Sequence, residues 1–191
     1  MPTAQMATVQ LDEGIMAILR TAESPEQCQE AETKRRGWEY YNLKDSETVS
    51  GHMYRMGLMS MVLESPNLDM NRCGQMALVH DLAESIVGDI TPWCGIDKEE
   101  KHRLETIVSS LGTTNAANKI ESLWWEYERN ETPEANFVHD MDKLELAQQA
   151  MEYEHKYEIN LDEFFKSCDQ GIHDTQLRAI FAQILSRRRS V

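Results

Sequence analysis

Apolar residues along this chain recur at offsets of three and four, and polar or proline-containing breaks divide the pattern into helices. Residues 1 to about 10 show no periodicity and are expected to be disordered. Leu11, Ile15, Ile18 and Leu19 then suggest a short amphipathic helix that stops before Ser24-Pro25. From Lys34 to Val49 the pattern is irregular, with Gly37, Asn42 and Asp45 as turn formers, and reads as a connecting loop. From about Ser50 to Leu63, helical spacing puts His52, Met56, Met59 and Leu63 on one face. A second helix, about Asn71 to Val87, aligns Cys73, Ala77, His80, Glu84 and Val87 on a single stripe, with Asp81 on its shoulder. Gly88 ends it, and Asp89-Ile90-Thr91-Pro92 leaves as a loop.

Asp97 and Glu100 look like a capping box ahead of Leu104, Ile107, Val108 and Leu111, and another helix is expected from about Asn118 to Tyr127. Thr132-Pro133, a cap residue followed by proline at the first helical position, opens a long helix reaching at least Tyr153. On it Val138, Asp142, Glu145 and Gln149 share a face. Shorter helices follow at Leu161 to Lys166 and Thr175 to Arg187. No segment alternates as a strand does, so the fold class is all-α, a helical bundle. The length suits one domain, residues 11–191.

Charge narrows the function classes. Acids outnumber bases 33 to 19, for a formal net charge of −14, which repels a polyanionic backbone and argues against extended nucleic-acid binding. A small anionic substrate stays open, because a bound cation and one or two arginines reverse the field locally. Cys28, Cys73, Cys94 and Cys168 form no C-x-x-C pair and read as reduced structural thiols. Neither a membrane span nor a secretory leader is evident, and the expectation is an intracellular, cytoplasmic protein, with the nucleus as a further candidate compartment.

The chemistry-bearing pattern is the adjacent pair His80-Asp81, both expected to emerge from one helix, with His52 on the preceding helix and Asp142 on the long later one. Two imidazoles and two carboxylates at a bundle's centre make a hard-to-borderline site for a divalent cation. A dipeptide of this kind occurs often by chance, and His139-Asp140 is a second copy in the same chain. Context separates them: Val79-His80-Asp81-Leu82-Ala83-Glu84 is followed by Gly88-Asp89, on an inward-facing stripe.

The segments Val49-Ser50-Gly51-His52-Met53-Tyr54-Arg55-Met56, Ala77 to Glu84 with Val87-Gly88-Asp89-Ile90, and Asp142-Lys143-Leu144-Glu145 with Gln149 to Glu154 resemble the HD domain-containing protein 2 family. That family comprises eukaryotic relatives of the bacterial HD-type 5′-deoxynucleotidases. The resemblance spans roughly residues 34–154. It implies an HD-domain bundle with a central metal site held by His52, His80, Asp81 and Asp142, and a manganese, cobalt or magnesium ion as cofactor, with zinc or iron as further candidates. It also implies that Glu84 assists the attacking water, that Asp89 contacts the sugar, and that Trp38 with Arg35 or Arg36 binds substrate, Arg35 being favoured. A homodimer follows from the same resemblance.

The expected reaction is cleavage of deoxynucleoside 5′-monophosphates to deoxynucleoside and phosphate, with Asp81 and Glu84 in the chemistry and Trp38 and Asp89 reading the sugar. Two alternatives stand beside it: an HD phosphohydrolase for another nucleotide, and a non-catalytic interaction protein stabilised by a metal. Few basic residues beyond Arg35, Arg36, Arg55 and Lys143 accompany the motifs, which favours a monophosphate over a longer phosphate chain.

Overall fold

A computed structural model of the chain describes residues 33–82, 84 and 115–188. The expected disordered start, the helix at Leu11 to Leu19, the helix stop at Gly88, Asp89, and the capping box at Asp97 and Glu100 lie outside the described residues. In chain order the helices are α1 (Arg36–Glu39), α2 (Val49–Val62), α3 (Met70–Ala77), α4 (Asn115–Arg129), α5 (Pro133–Tyr157), α6 (Asp162–Gly171) and α7 (Thr175–Arg188). Among the described residues no strand forms, as the all-α reading expected, and β pairing is limited to an isolated antiparallel bridge between Lys34 and Thr48. The segment read as a loop contains α1; the bridge beside it ties Lys34 to the start of α2, and Arg35 N–H donates to the Glu47 carbonyl next to it.

Local chemistry sets the helix starts. The Thr48 hydroxyl accepts from Gly51 N–H to open α2, Asp69 accepts from Arg72 N–H to open α3, and Thr132 accepts from Ala135 N–H ahead of Pro133. α7 begins on Asp174, whose carboxylate accepts from the N–H groups of Gln176 and Leu177. The long helix α5 is the hub, packed against α2, α3, α4, α6 and α7. Its buried residues lie around much of its circumference, Phe137, Val138, Met141, Leu144, Met151 and Tyr153 among them, so it lacks the one-sided stripe of a surface helix. Asp142, Glu145 and Gln149 are buried with them, and these polar residues mark where the fold departs from a plain hydrophobic core.

One boundary departs from the sequence reading. The helix expected to run unbroken through His80 stops at Ala77, and His80-Asp81 sits on the tight turn that follows. The reason is local: the Ala77 carbonyl, which a continuing α-helix reserves for Asp81 N–H, accepts instead from the His80 ring at Nδ1, 2.9 Å away. Shorter i to i−3 hydrogen bonds then carry the chain, Leu82 N–H to Val79 and Glu84 N–H to Asp81.

Candidate metal centre

His52 lies in the first turn of α2 with its ring fully buried. Its Nδ1 is 2.7 Å from Oε2 of Glu145, and because a carboxylate only accepts, Nδ1 carries the hydrogen and Nε2 faces the other way as a lone pair. His80 is fixed in the same tautomer by the Ala77 carbonyl. The two rings meet at 5.3 Å between centroids, and both Nε2 atoms are buried with no hydrogen-bond partner. An orphaned buried acceptor costs on the order of 1–3 kcal/mol, and two of them converging on one point is the arrangement a cation would satisfy.

Carboxylates complete the point. Oδ2 of Asp81 is 3.3 Å from Nε2 of His80 and 3.8 Å from Nε2 of His52, while Oδ1 of Asp142 is 3.2 Å from Nε2 of His52. Burial alone would raise the Asp81 pKa, but His80 at its side, then His52 and Arg35, bring it down to about 2. Asp142, against the same burial penalty, is held well below the usual carboxylate range by His52, Lys143 and Arg35. Both are therefore ionised at any physiological pH. Burial and Arg35 press the His52 pKa down, yet Asp142 and Glu145 carry it up to about 9. Without a cation at the point, a proton takes its place. The donor set, two imidazole nitrogens and two carboxylates, fits a borderline divalent metal.

The two arginine candidates separate. Arg35 sends its guanidinium inward to 3.9 Å from Asp142, its NH1 buried and unpartnered, whereas Arg36 is exposed. Glu84 is half-buried, one turn past Asp81. Asp89 lies outside the described residues. Trp38, expected as a wall of a substrate pocket, is 1% exposed, stacked on Phe164 at 4.6 Å, with Tyr153 edge-on at 5.0 Å and its Nε1–H donated to Glu47. An indole of this size gains most by filling the space between α5 and α6, so it is a core residue.

The second dipeptide is structural. Asp140 accepts from the N–H groups of His173 and Asp174, and His139 donates through Nε2 to the Tyr127 carbonyl while stacking on the Tyr127 ring at 3.9 Å. Periodicity had placed Glu145 and Gln149 on the Asp142 face, but nothing in the sequence connected Glu145 to His52. Glu47 also went unnoticed: its carboxyl pKa is raised by burial and then by Glu145, against the pull of Arg35.

A helical bundle that gathers His52, His80 and Asp81 at one buried point, with Asp142 against His52, offers a donor set of the kind that suits a divalent cation. This chain belongs to the HD domain family, whose profile matches residues 29–184. It is 45% identical to 5'-deoxynucleotidase hdd1 of Schizosaccharomyces pombe over 142 residues, 69% of this chain and 72% of that protein. It is 39% identical to 5'-deoxynucleotidase HDDC2 of Danio rerio over 163 residues, 81% of this chain and 80% of that one. Among solved structures, a Pyrococcus horikoshii OT3 protein shares the fold with a TM-score of 0.71 at 23% identity, over 90% of this chain and 96% of its own.

Proposed function

We propose that this chain is a metal-dependent 5′-deoxynucleotidase, releasing phosphate from deoxynucleoside 5′-monophosphates, with His52, His80, Asp81 and Asp142 as the residues that would hold the cation. Relatives bearing that activity in their names, at 39% and 45% identity over most of the chain, support the reaction class. The observation that carries the reading is the pair of buried, unpartnered Nε2 atoms beside two ionised aspartates. A bound manganese, cobalt or magnesium ion, or zinc or iron, would supply Lewis acidity and a water of lowered pKa.

The chain's own groups supply the rest. Arg35, with a buried guanidinium nitrogen lacking a partner, donates to the phosphoryl oxygens as negative charge builds on them. Arg36 is exposed, and the reading therefore gives the phosphate to Arg35. Glu84, one turn beyond Asp81, orients the attacking water and accepts its proton. Asp89 accepts a hydrogen bond from the sugar hydroxyl. The reading includes a homodimer, supported by apolar side chains exposed on α2, Met61 at 80% and Val62 at 79%. Among the described residues no helix is long and apolar enough to cross a membrane.

The test is phosphate release from every deoxy- and ribonucleoside monophosphate, with each divalent metal in turn and after chelation. Release from the deoxy series that stops with chelator and returns with metal is the expected result. A folded, metal-loaded protein that hydrolyses none of them would refute the proposal, and sedimentation decides the dimer.

A further inference from the structure

We propose that Glu145 and Arg55 form a positioning relay behind His52, one that locks the tautomer and direction of this ring and thereby sets the cation affinity of the centre; the inference rests on the metal-site reading above. Neither residue touches the point where His52, His80 and Asp81 converge. They act through the far nitrogen of one ligand.

The relay is a product of how α2 meets α5. His52 and Arg55 are one turn apart on α2, and Asp142, Glu145, Gln149 and Glu152 follow one another along the facing stripe of α5. Glu145 is fully buried and divides its two oxygens between two partners. Oε2 accepts from Nδ1 of His52 at 2.7 Å, and Oε1 lies 3.0 Å from Nε of Arg55 as an ion pair, without hydrogen-bond alignment. Arg55 is held in turn: its NH1 donates to Gln149 Oε1 and reaches Glu152 at 3.4 Å.

A buried carboxylate needs a matching positive charge, and a neutral imidazole cannot provide one once its Nε2 is committed to a cation. Arg55, about one-third exposed, reaches in from the rim and supplies it. A structural ion pair would need only this contact. The second oxygen, spent on a ligand histidine, is what turns the pair into a device: it holds the hydrogen on Nδ1, aims Nε2 at the centre and makes the ring a stronger donor. His80 offers the internal contrast. Its Nδ1 donates to a neutral carbonyl, that of Ala77, so of the two imidazoles only His52 has a charged backing.

The experiment measures Mn²⁺ affinity of the full chain by the electron paramagnetic resonance of free Mn²⁺, for the wild type, Glu145→Gln, Glu145→Ala and Arg55→Gln. Alongside, ¹⁵N-labelled histidine reports the Nδ1–H resonance of His52. Glu145→Ala is expected to weaken Mn²⁺ binding by about 10–100-fold. Glu145→Gln should recover part of that loss, because its amide oxygen still accepts from Nδ1–H without the charge. Arg55→Gln should weaken binding less than Glu145→Ala and shift the Nδ1–H signal upfield. Arg55 is partly exposed, so its variant stays informative even if Glu145→Ala does not fold. Unchanged Mn²⁺ affinity and an unchanged Nδ1–H signal in Arg55→Gln would overturn the relay. A wild-type chain that binds no Mn²⁺ would instead bring down the metal-site reading, and the relay with it.

Discussion

Stripped of metal, the protein should lose stability across a pH window that His52 defines. Its folded-state pKa of about 9 stands against 6.5 for the free side chain, so the folded state binds the proton more tightly than the unfolded chain does. The resulting stabilisation is complete below pH 6.5 and drains away as pH rises through about 9. At about 1.4 kcal/mol for each pH unit separating the two values, the loss over that window is about 3 kcal/mol, a large share of an ordinary domain's stability. The ring is fully buried, so solvent screening takes little from this figure. A bound cation displaces the same proton, and the metal-loaded protein should not show the window. Urea unfolding of chelator-treated protein at pH 6, 7.5 and 9 reads the slope, with His52→Gln as the control that should flatten it. Buried thiols set the upper limit: burial pushes Cys73 and Cys168 up to about 12, so their own contribution to instability begins only where unfolded thiols ionise, near pH 9. Stability that stays level from pH 6 to 9 in the wild type, or that falls equally in His52→Gln, would refute the electrostatic account of the centre.

Asp81→Ala should remove metal binding and turnover together, since the loss takes away a charge as well as a donor, and metal analysis beside phosphate release checks both. The matched His139→Ala should keep its metal and lose about 0.5–1.5 kcal/mol of stability from the broken Tyr127 stack, measured by denaturation. Glu84→Gln should retain metal while kcat falls by about 10²–10⁴, and metal content falling in step with activity would make Glu84 a ligand instead. Trp38→Ala should act as a core cavity, costing about 3–5 kcal/mol, with the deoxy-to-ribo ratio of kcat/KM unchanged in whatever folds; a narrowed ratio would restore the indole to the substrate pocket.

Helix positions were largely legible because the signals that set them are local. Thr132-Pro133 announces α5 and Asp142, Glu145 and Gln149 share its buried side, and these features need only a few neighbouring residues to be read. The same holds for α2, whose inward face carries His52 as the spacing required. Choosing His80-Asp81 over His139-Asp140 also came from nearby residues; in the structure His80 and Asp81 lie beside His52, while the other pair is spent on a cap and a ring stack.

What remained hidden depended on partners far apart in the chain or on competition for a single backbone group. Periodicity continued the helix through His80 because it cannot weigh a ring nitrogen against an amide for the Ala77 carbonyl. It could not tell Arg35 from Arg36 either: adjacent residues differ in direction only once the backbone is tied, here by the Lys34–Thr48 bridge and the Arg35 N–H to Glu47 carbonyl bond, with Arg35 toward Asp142. The packing of Trp38 was hidden as well, because Phe164 and Tyr153, which enclose it, come from distant helices. Glu145 was on the right face, but its meaning rests on a hydrogen bond spanning 93 positions to His52. Sequence by itself set the helices and the types of donor available, through short-range sterics and hydrogen bonding. Tertiary packing alone decided which nitrogen is free, which carboxylate stands behind it and which arginine faces the centre, because each is a contact between side chains that only the closed bundle brings within reach.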